Sequence, residues 1–260
     1  LSGVPDAVAL SQDKVGMAIG NGIGSVICNT AMILAISIIF TPSVIKRKDF
    51  APKSAILIIA VAALFLLSLS GSFSMVGAVI LLIIFALYIF ENVRSAKSEH
   101  SEAGSEAPAK DKKSVIMNIL RIVVGAACIV IGSRLLVDNG SKIASSWGVS
   151  EAIIGVTIVA IGTSLPELVT AITSIIKKQS SMSVGNIIGA NVIDTTLILA
   201  TCSFVYGGKL PVSVQNIYLD FPIAIIVSAI AAVPTIIKGR FSRWQGFMML
   251  AIYIVYLLIS

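Results

Sequence analysis

Along the chain, long apolar runs alternate with short polar or charged breaks. A helix that crosses a membrane needs about 20 mostly apolar residues. Eight runs approach that length, near 18–40, 54–70, 73–91, 114–136, 150–176, 182–206, 218–238 and 242–260. The pattern predicts an all-α chain folded as a polytopic transmembrane helix bundle. The first run follows the polar stretch Ser11, Gln12, Asp13 and Lys14, and lacks the basic flank, short apolar core and cleavage site of a secretory signal. Residues 92–113 are polar and without periodicity, the composition of a flexible tether. They divide the chain into 1–91, with three runs, and 114–260, with five.

Composition narrows the class. Residues of the AVILMFWYC set make up 57% of the chain and DEKR only 12%, about half the charged fraction of an ordinary soluble domain. So few charges cannot cover a water-soluble globule of 260 residues. That excludes a soluble enzyme, a disordered chain and a nucleic-acid module. Cys28, Cys128 and Cys202 all lie inside apolar runs, with no CxxC motif and no disulfide framework. The single histidine, His100, falls in the polar tether, where nothing nearby completes a ligand set.

The net charge of +6 reads as topology. With eight spans, alternate connections fall on opposite faces. One face receives fourteen basic residues, from Lys46, Arg47, Lys48 and Lys53 through Arg94 to Lys113, Lys177 and Lys178, and Lys238, Arg240 and Arg243. The other receives Lys14, Lys142 and Lys209, with Arg134 near it. The positive-inside rule assigns loops 41–53, 92–113, 177–181 and 238–243 to the cytoplasm.

The chain also repeats itself at an offset of 165 residues. MAIGNGIGSVICNTAMILA, Met17 to Ala35, and MSVGNIIGANVIDTTLILA, Met182 to Ala200, agree at nine of nineteen positions, including GNxxG and Thr30 with Thr195. Asp49-Phe50 returns as Asp220-Phe221, and Phe73-Ser74 as Phe241-Ser242. The copies occupy the first and sixth runs, and an odd shift makes them cross in opposite directions. Inverted repeats of this kind characterise secondary transporters, with the site near the midplane where the halves meet. Two spans precede the second copy within its own half and none precedes the first, so symmetry leads to the expectation of two further helices upstream.

Chemistry collects around the repeat. In VAIGTSLPELVTAITS, Val159 to Ser174, Pro166 interrupts the helical ladder and frees carbonyls around residues 160–164. Glu167 follows, and an acid at the centre of a span costs about 2.5–3.5 kcal/mol, which makes it a functional candidate. Thr163, Glu167, Thr170 and Ser174 share one helical face, with Thr170 and Ser174 read as ordinary interface hydroxyls. Asn186, Ala190 and Asp194 are spaced by four, as are Asn21, Ser25 and Asn29. Gly20 with Gly24, and Gly185 with Gly189, are predicted to let helices approach closely. The candidate ligands are Glu167, Asp194, Asn29, Thr163, Ser164 and Ser25. An all-oxygen set suits hard cations such as calcium or sodium. Asn21 and Asn186 fit either that stripe or hydrogen bonding across the junction.

These residues resemble the calcium/cation antiporter superfamily, which includes the sodium/calcium exchangers. Gly162-Thr163-Ser164-Leu165-Pro166-Glu167 followed by Gly185-Asn186-Ile187-Ile188-Gly189 and Asp194 is similar to its second alpha repeat, and Gly20-Asn21, Gly24-Ser25 and Asn29 to the later part of its first. The resemblance implies a ten-helix fold and a transporter with no cofactor. By it Glu167 and Asp194 would be calcium and sodium ligands, Thr163 and Ser164 would give backbone and hydroxyl oxygens, and Ser25 and Asn29 would complete the set. Ala190 stands where the family usually has serine. The acid of the first repeat has no clear counterpart. Val4-Pro5-Asp6 is either a degenerate copy, four residues too close to its GN pair, or part of a polar connection.

The function expected is exchange of calcium for sodium across a cell membrane by alternating access. The rivals are a cation/proton antiporter of the same family and a passive cation channel. An intramembrane protease fits poorly, because the spans offer neither GxGD nor a histidine.

Overall fold

A computed structural model describes residues 16–102, 112–148, 164–177 and 180–260. The first run forms α1 (Gly16–Ile27), a π-helical segment at Cys28–Leu34, and α2 (Ala35–Phe40), one continuous rod. It is followed by α3 (Arg47–Ser68), strand β1 (Ser72–Ser74), α4 (Met75–Glu102) and α5 (Lys112–Ser146). Then come α6 (Leu165–Ile176) and α7 (Ser180–Ile193), which runs through a second π segment, Asp194–Ile198, into α8 (Leu199–Val205). Strand β2 (Lys209–Pro211), a third π segment (Asn216–Asp220), α9 (Phe221–Lys238) and α10 (Arg243–Ile259) complete the order.

Among the described residues, five stretches are long and apolar enough to cross a membrane: Ile19–Phe40, Arg47–Ser68, Met75–Lys97, Ser183–Val205 and Asn216–Lys238. α6 and α10 are shorter apolar helices. The first part of the predicted run 150–176, Thr163 included, lies outside the described residues, as does Val4-Pro5-Asp6.

Two pairings fix the ends of the bundle. At one end the chain just after α2 hydrogen-bonds to the chain just after α9, Ile45 N–H to the Gly239 carbonyl at 3.1 Å and Phe241 N–H to the Ser43 carbonyl at 2.9 Å. Gly239 ends α9 in the left-handed region (φ 70°), where glycine is favoured, and the Arg47 guanidinium caps the same corner on the Ile237 carbonyl. At the other end β1 and β2 form an antiparallel ribbon, with Phe73 opposite Leu210, both fully buried. The ribbon is a small addition to the all-α architecture expected. The 22 residues of α3 connect the two ends, a rise of about 33 Å.

Direction follows. The rod of α1 and α2 runs toward the corner at 41–46, whereas α7 and α8 run toward the ribbon. The two copies of the repeat are antiparallel. Side chains agree: Ser37 meets Ser183, Thr30 and Asn29 meet Asn191, and Gly22 abuts Leu199, so the residue numbers rise along one helix as they fall along the other.

Both copies also turn from α to π at matching places. Asn29 aligns with Asp194, and the π segments are Cys28–Leu34 and Asp194–Ile198. A π turn inserts an extra residue into the helical ladder and is common at functional sites.

The layering follows the sequence's apolar content. Of the most apolar stretch of Ile19–Phe40, 67% is buried, against 28% for Met75–Lys97. The first is an inner helix and the second an outer one. Ile83, Leu87 and Phe90 of α4 are exposed, a surface suited to lipid and costly in water. Aromatic contacts tie the outer helices in, Phe50 edge-on to Phe241 at 5.4 Å and Phe65 tilted on Phe221 at 5.6 Å. Ser242 and Gln245 form a capping box that starts α10, and the Gln245 amide reaches the Ile230 carbonyl and the Thr235 hydroxyl.

Two expectations are revised. Residues 92–102, read as the start of a flexible tether, continue α4, and Lys112 and Lys113 open α5. The last apolar turns of α4 hold its helical ladder, which polar residues extend without needing a buried face. The glycine pairs also act differently. A Cβ added at Gly24 or Gly185 would meet nothing within 4 Å among the described residues. Gly20 and Gly189 instead make room for side chains of other helices, where an added Cβ would stand 3.3 Å from the Asn216 amide and 3.1 Å from the Tyr88 hydroxyl. Among the described glycines the closest approach to another helix's backbone is Gly246 of α10, where a Cβ would sit 2.7 Å from the Ala35 carbonyl and 2.6 Å from Ile39.

Candidate functional site

The site lies where α6 and the two antiparallel repeat helices converge. α6 begins at Leu165, with Pro166 in its first turn, where a missing N–H costs nothing. That start places Ser164, which is buried, and Glu167, which is half-buried, against the π segment at Cys28–Leu34. The Cys28 thiol is within hydrogen-bonding reach of the Ser164 and Tyr253 hydroxyls and feels the charge of Glu167.

Asp194, half-buried at the head of its π segment, feels the charge of Glu167 as well. Among the described residues no lysine or arginine pairs with either carboxylate. Two acids that feel each other's charge while partly withdrawn from water favour a cation, a proton or both nearby.

Asn29 supplies the decisive detail. It is 1% exposed, and its Nδ2 donates to Asn191 Oδ1 at 3.0 Å. Asn191, 0% exposed, donates in turn from Nδ2 to the Thr30 hydroxyl at 2.8 Å. The Asn29 Oδ1 is buried and accepts no hydrogen bond among the described residues. An orphaned buried oxygen costs about 1–3 kcal/mol, which a bound cation would recover. Ser25 is half-buried one turn before Asn29, on a helix that packs against the Asp194 segment.

The structure thus sets the start of α6, with Ser164 and Glu167, against the π segment that carries Asn29, and the Ser25 helix against the segment that carries Asp194. Asn21 and Asn186 are both exposed, and Asn186 donates to the Thr170 hydroxyl at 2.9 Å, which itself donates to the Glu167 carbonyl. These bonds clamp α6 to α7. A small cavity at the crossing, about 20 Å³, is lined by Thr30, Leu34, Ile187, Asn191 and Ser228 among others and by neither carboxylate.

Asn191 and Thr30 are the residues the sequence reading passed over. Thr30 had a signal, since it is identical in both copies of the repeat. Asn191 falls between positions of the four-spaced stripe and has no polar counterpart at Val26, so symmetry conceals it.

Comparison with known proteins decides the family. The pattern of the sodium/calcium exchanger protein family matches residues 4–93 and 117–260, most of the chain. The chain belongs to the sodium/calcium exchanger family. A membrane protein of Methanocaldococcus jannaschii is 30% identical over 255 residues, covering 96% of this chain and 78% of that protein. The sodium/calcium exchanger MaX1 of Methanosarcina acetivorans is 31% identical over 142 residues, 55% of this chain and 40% of that one. A solved structure of the sodium-calcium exchanger NCX_Mj, soaked with 2.5 mM Na+ and 10 mM Sr2+, superposes with a TM-score of 0.82 at 29% identity, covering 98% of this chain and 80% of that one. Members of the exchanger family are integral membrane transporters and not enzymes, and this chain shares their helical fold.

Proposed function

We propose that this exchanger moves calcium against sodium by alternating access, with Glu167, Asp194, Asn29, Ser164, Ser25 and Thr163 as oxygen ligands of a central cation site. Residues 1–91 and 114–260 supply the two halves, joined through 92–113. The observation that carries the proposal is the buried Asn29 Oδ1 that accepts no hydrogen bond among the described residues, on the π segment against which the Glu167 helix packs. Glu167 and Asp194 lie near enough to feel each other's charge, and among the described residues neither pairs with a lysine or arginine. Hard oxygens of mixed charge suit calcium, which takes 6–8 of them. Two carboxylates do not fill such a shell, so neutral hydroxyl, amide and backbone oxygens from both halves must contribute. The relatives named for sodium/calcium exchange and the neighbour soaked with sodium and strontium support the same cargo.

Alternating access follows from charge. An empty site with two carboxylates is costly to enclose away from water, and a loaded one is not, so switching favours the loaded state. The cluster of Lys46, Arg47, Lys48 and Arg240 at the 41–46 corner supports that end as cytoplasmic.

Ala190 favours a second reading for the driving ion. It carries a methyl group where a hydroxyl ligand is expected, leaving one fewer oxygen for a sodium ion, so a proton on a carboxylate could take sodium's place.

The test is uptake of radiolabelled calcium into proteoliposomes holding the full-length protein, with sodium and proton gradients imposed separately. Exchange predicts saturable uptake driven by an outward sodium gradient and abolished in Glu167→Gln. Uptake driven by protons alone selects the second reading. Flux indifferent to both gradients would mean a channel.

A further inference from the structure

We propose that Asn191 is the positioning residue of the cation site, holding the Asn29 side chain in the one orientation that turns an oxygen, and not an N–H, toward the ion. The proposal rests on the reading of Asn29 as a ligand.

An asparagine amide carries an oxygen and an NH2 group of nearly the same shape. Rotating it by half a turn exchanges the two, and an inward NH2 would repel a cation that an inward oxygen attracts. What lies behind the amide therefore decides its use. Behind Asn29 lies Asn191, whose Oδ1 accepts the Nδ2–H at 3.0 Å and so occupies the donor end. Asn191 is held in turn, because its own Nδ2 donates to the Thr30 hydroxyl at 2.8 Å. Both amides are shut off from solvent, so water does not compete for these bonds. The consequence is the buried Asn29 Oδ1 left without a hydrogen bond among the described residues.

The string also crosses between the halves. Asn29 and Thr30 belong to the first repeat helix, and Asn191 to the second, one turn before Asp194. The helix that presents a carboxylate to the site thereby also orients the amide supplied by its antiparallel partner. A shift of one helix along the other would release Asn29 and weaken the site.

The experiment measures the half-saturating calcium concentration for transport by the full-length protein in proteoliposomes, in a mutant cycle between positions 191 and 29. Residues that orient a metal ligand typically change affinity by about 10–100-fold. Asn191→Leu should raise the half-saturating concentration at least about tenfold. In an Asn29→Asp background both side-chain oxygens are equivalent and orientation no longer matters. There the same substitution should change the value by no more than about twofold, the scatter of independent sites. An equal penalty in both backgrounds would show a merely structural role and overturn the proposal. Should Asn191→Leu fail to fold, Thr30→Val, which frees the far end of Asn191, should shift affinity the same way, and no shift would also overturn it. Asn29→Ala is read separately: unchanged calcium affinity there refutes the ligand assignment itself, whatever Asn191 does.

Discussion

Gly22 and Leu199 meet where the two copies of the repeated segment cross, and a Cβ on Gly22 would stand 3.3 Å from the Leu199 side chain. The repeat alignment pairs Gly22 with Ile187 and Leu199 with Leu34. Leu34 and Ile187 line one cavity at the same crossing, so the symmetry-related pair also lies at the junction. Glycine on one side of the pair and a branched side chain on the other set how closely the helices pass.

Filling that space should loosen the crossing. Gly22→Val adds two methyl groups beyond Cβ against Leu199, and overpacking of this kind costs about 1–3 kcal/mol. Thermal unfolding of purified protein in detergent should show a lower midpoint than wild type, with Gly22→Ala between the two.

A harsher effect is expected at Gly246, where the obstacle is backbone. The Ala35 carbonyl cannot rotate away as a leucine side chain can, so even Gly246→Ala must push α10 off α2. The measurement is the folded yield by size-exclusion profile. A profile like wild type for Gly246→Ala would mean the helices are not so closely packed.

Asp220 should separate stability from transport. It is an acid in a span, as Glu167 and Asp194 are, and is more deeply buried, yet both its oxygens are occupied, Oδ2 by the Asn216 amide at 2.7 Å and Oδ1 by the Tyr256 hydroxyl at 3.1 Å. Asp220→Ala strands two donors and should destabilise the protein by about 1–3 kcal/mol. The protein that folds should keep its half-saturating calcium concentration, in contrast to Asp194→Asn. A large affinity change in Asp220→Ala would place it in the site.

Sidedness has its own test. In a cysteine-free background, cysteine at Arg240 should react with a membrane-impermeant thiol reagent from the cytoplasmic side, and cysteine at Lys209, in the exposed face of the ribbon, from the opposite side. Labelling of both from one side would contradict the two-ended topology.

The bundle was legible in the sequence because lipid-length apolar runs and the GNxxG repeat are dense signals. The odd shift between Asn21 and Asn186 already implied antiparallel helices. Glu167 and Asp194 stood out because acids are expensive inside apolar runs. What stayed hidden depends on partners far away in the chain. Whether Gly24 or Gly246 carries a tight contact is decided by the neighbour that faces it, and the Ala35 carbonyl leaves no mark on the sequence around residue 246. Asn191 was missed for the same reason, since its value comes from Asn29 and Thr30. The continuation of α4 to Glu102 was missed because polar residues extend a helix already nucleated by apolar turns, and composition alone does not register this.

The central claim is tested most directly by locating a bound divalent ion. Crystals of the full-length protein soaked with strontium, with the ion found by anomalous scattering, should place it within about 2.3–2.6 Å of oxygens from Glu167, Asp194 and Asn29 if the ion behaves as calcium does. An ion bound elsewhere, with the Asn29 Oδ1 facing protein and the two acids apart, would contradict the account.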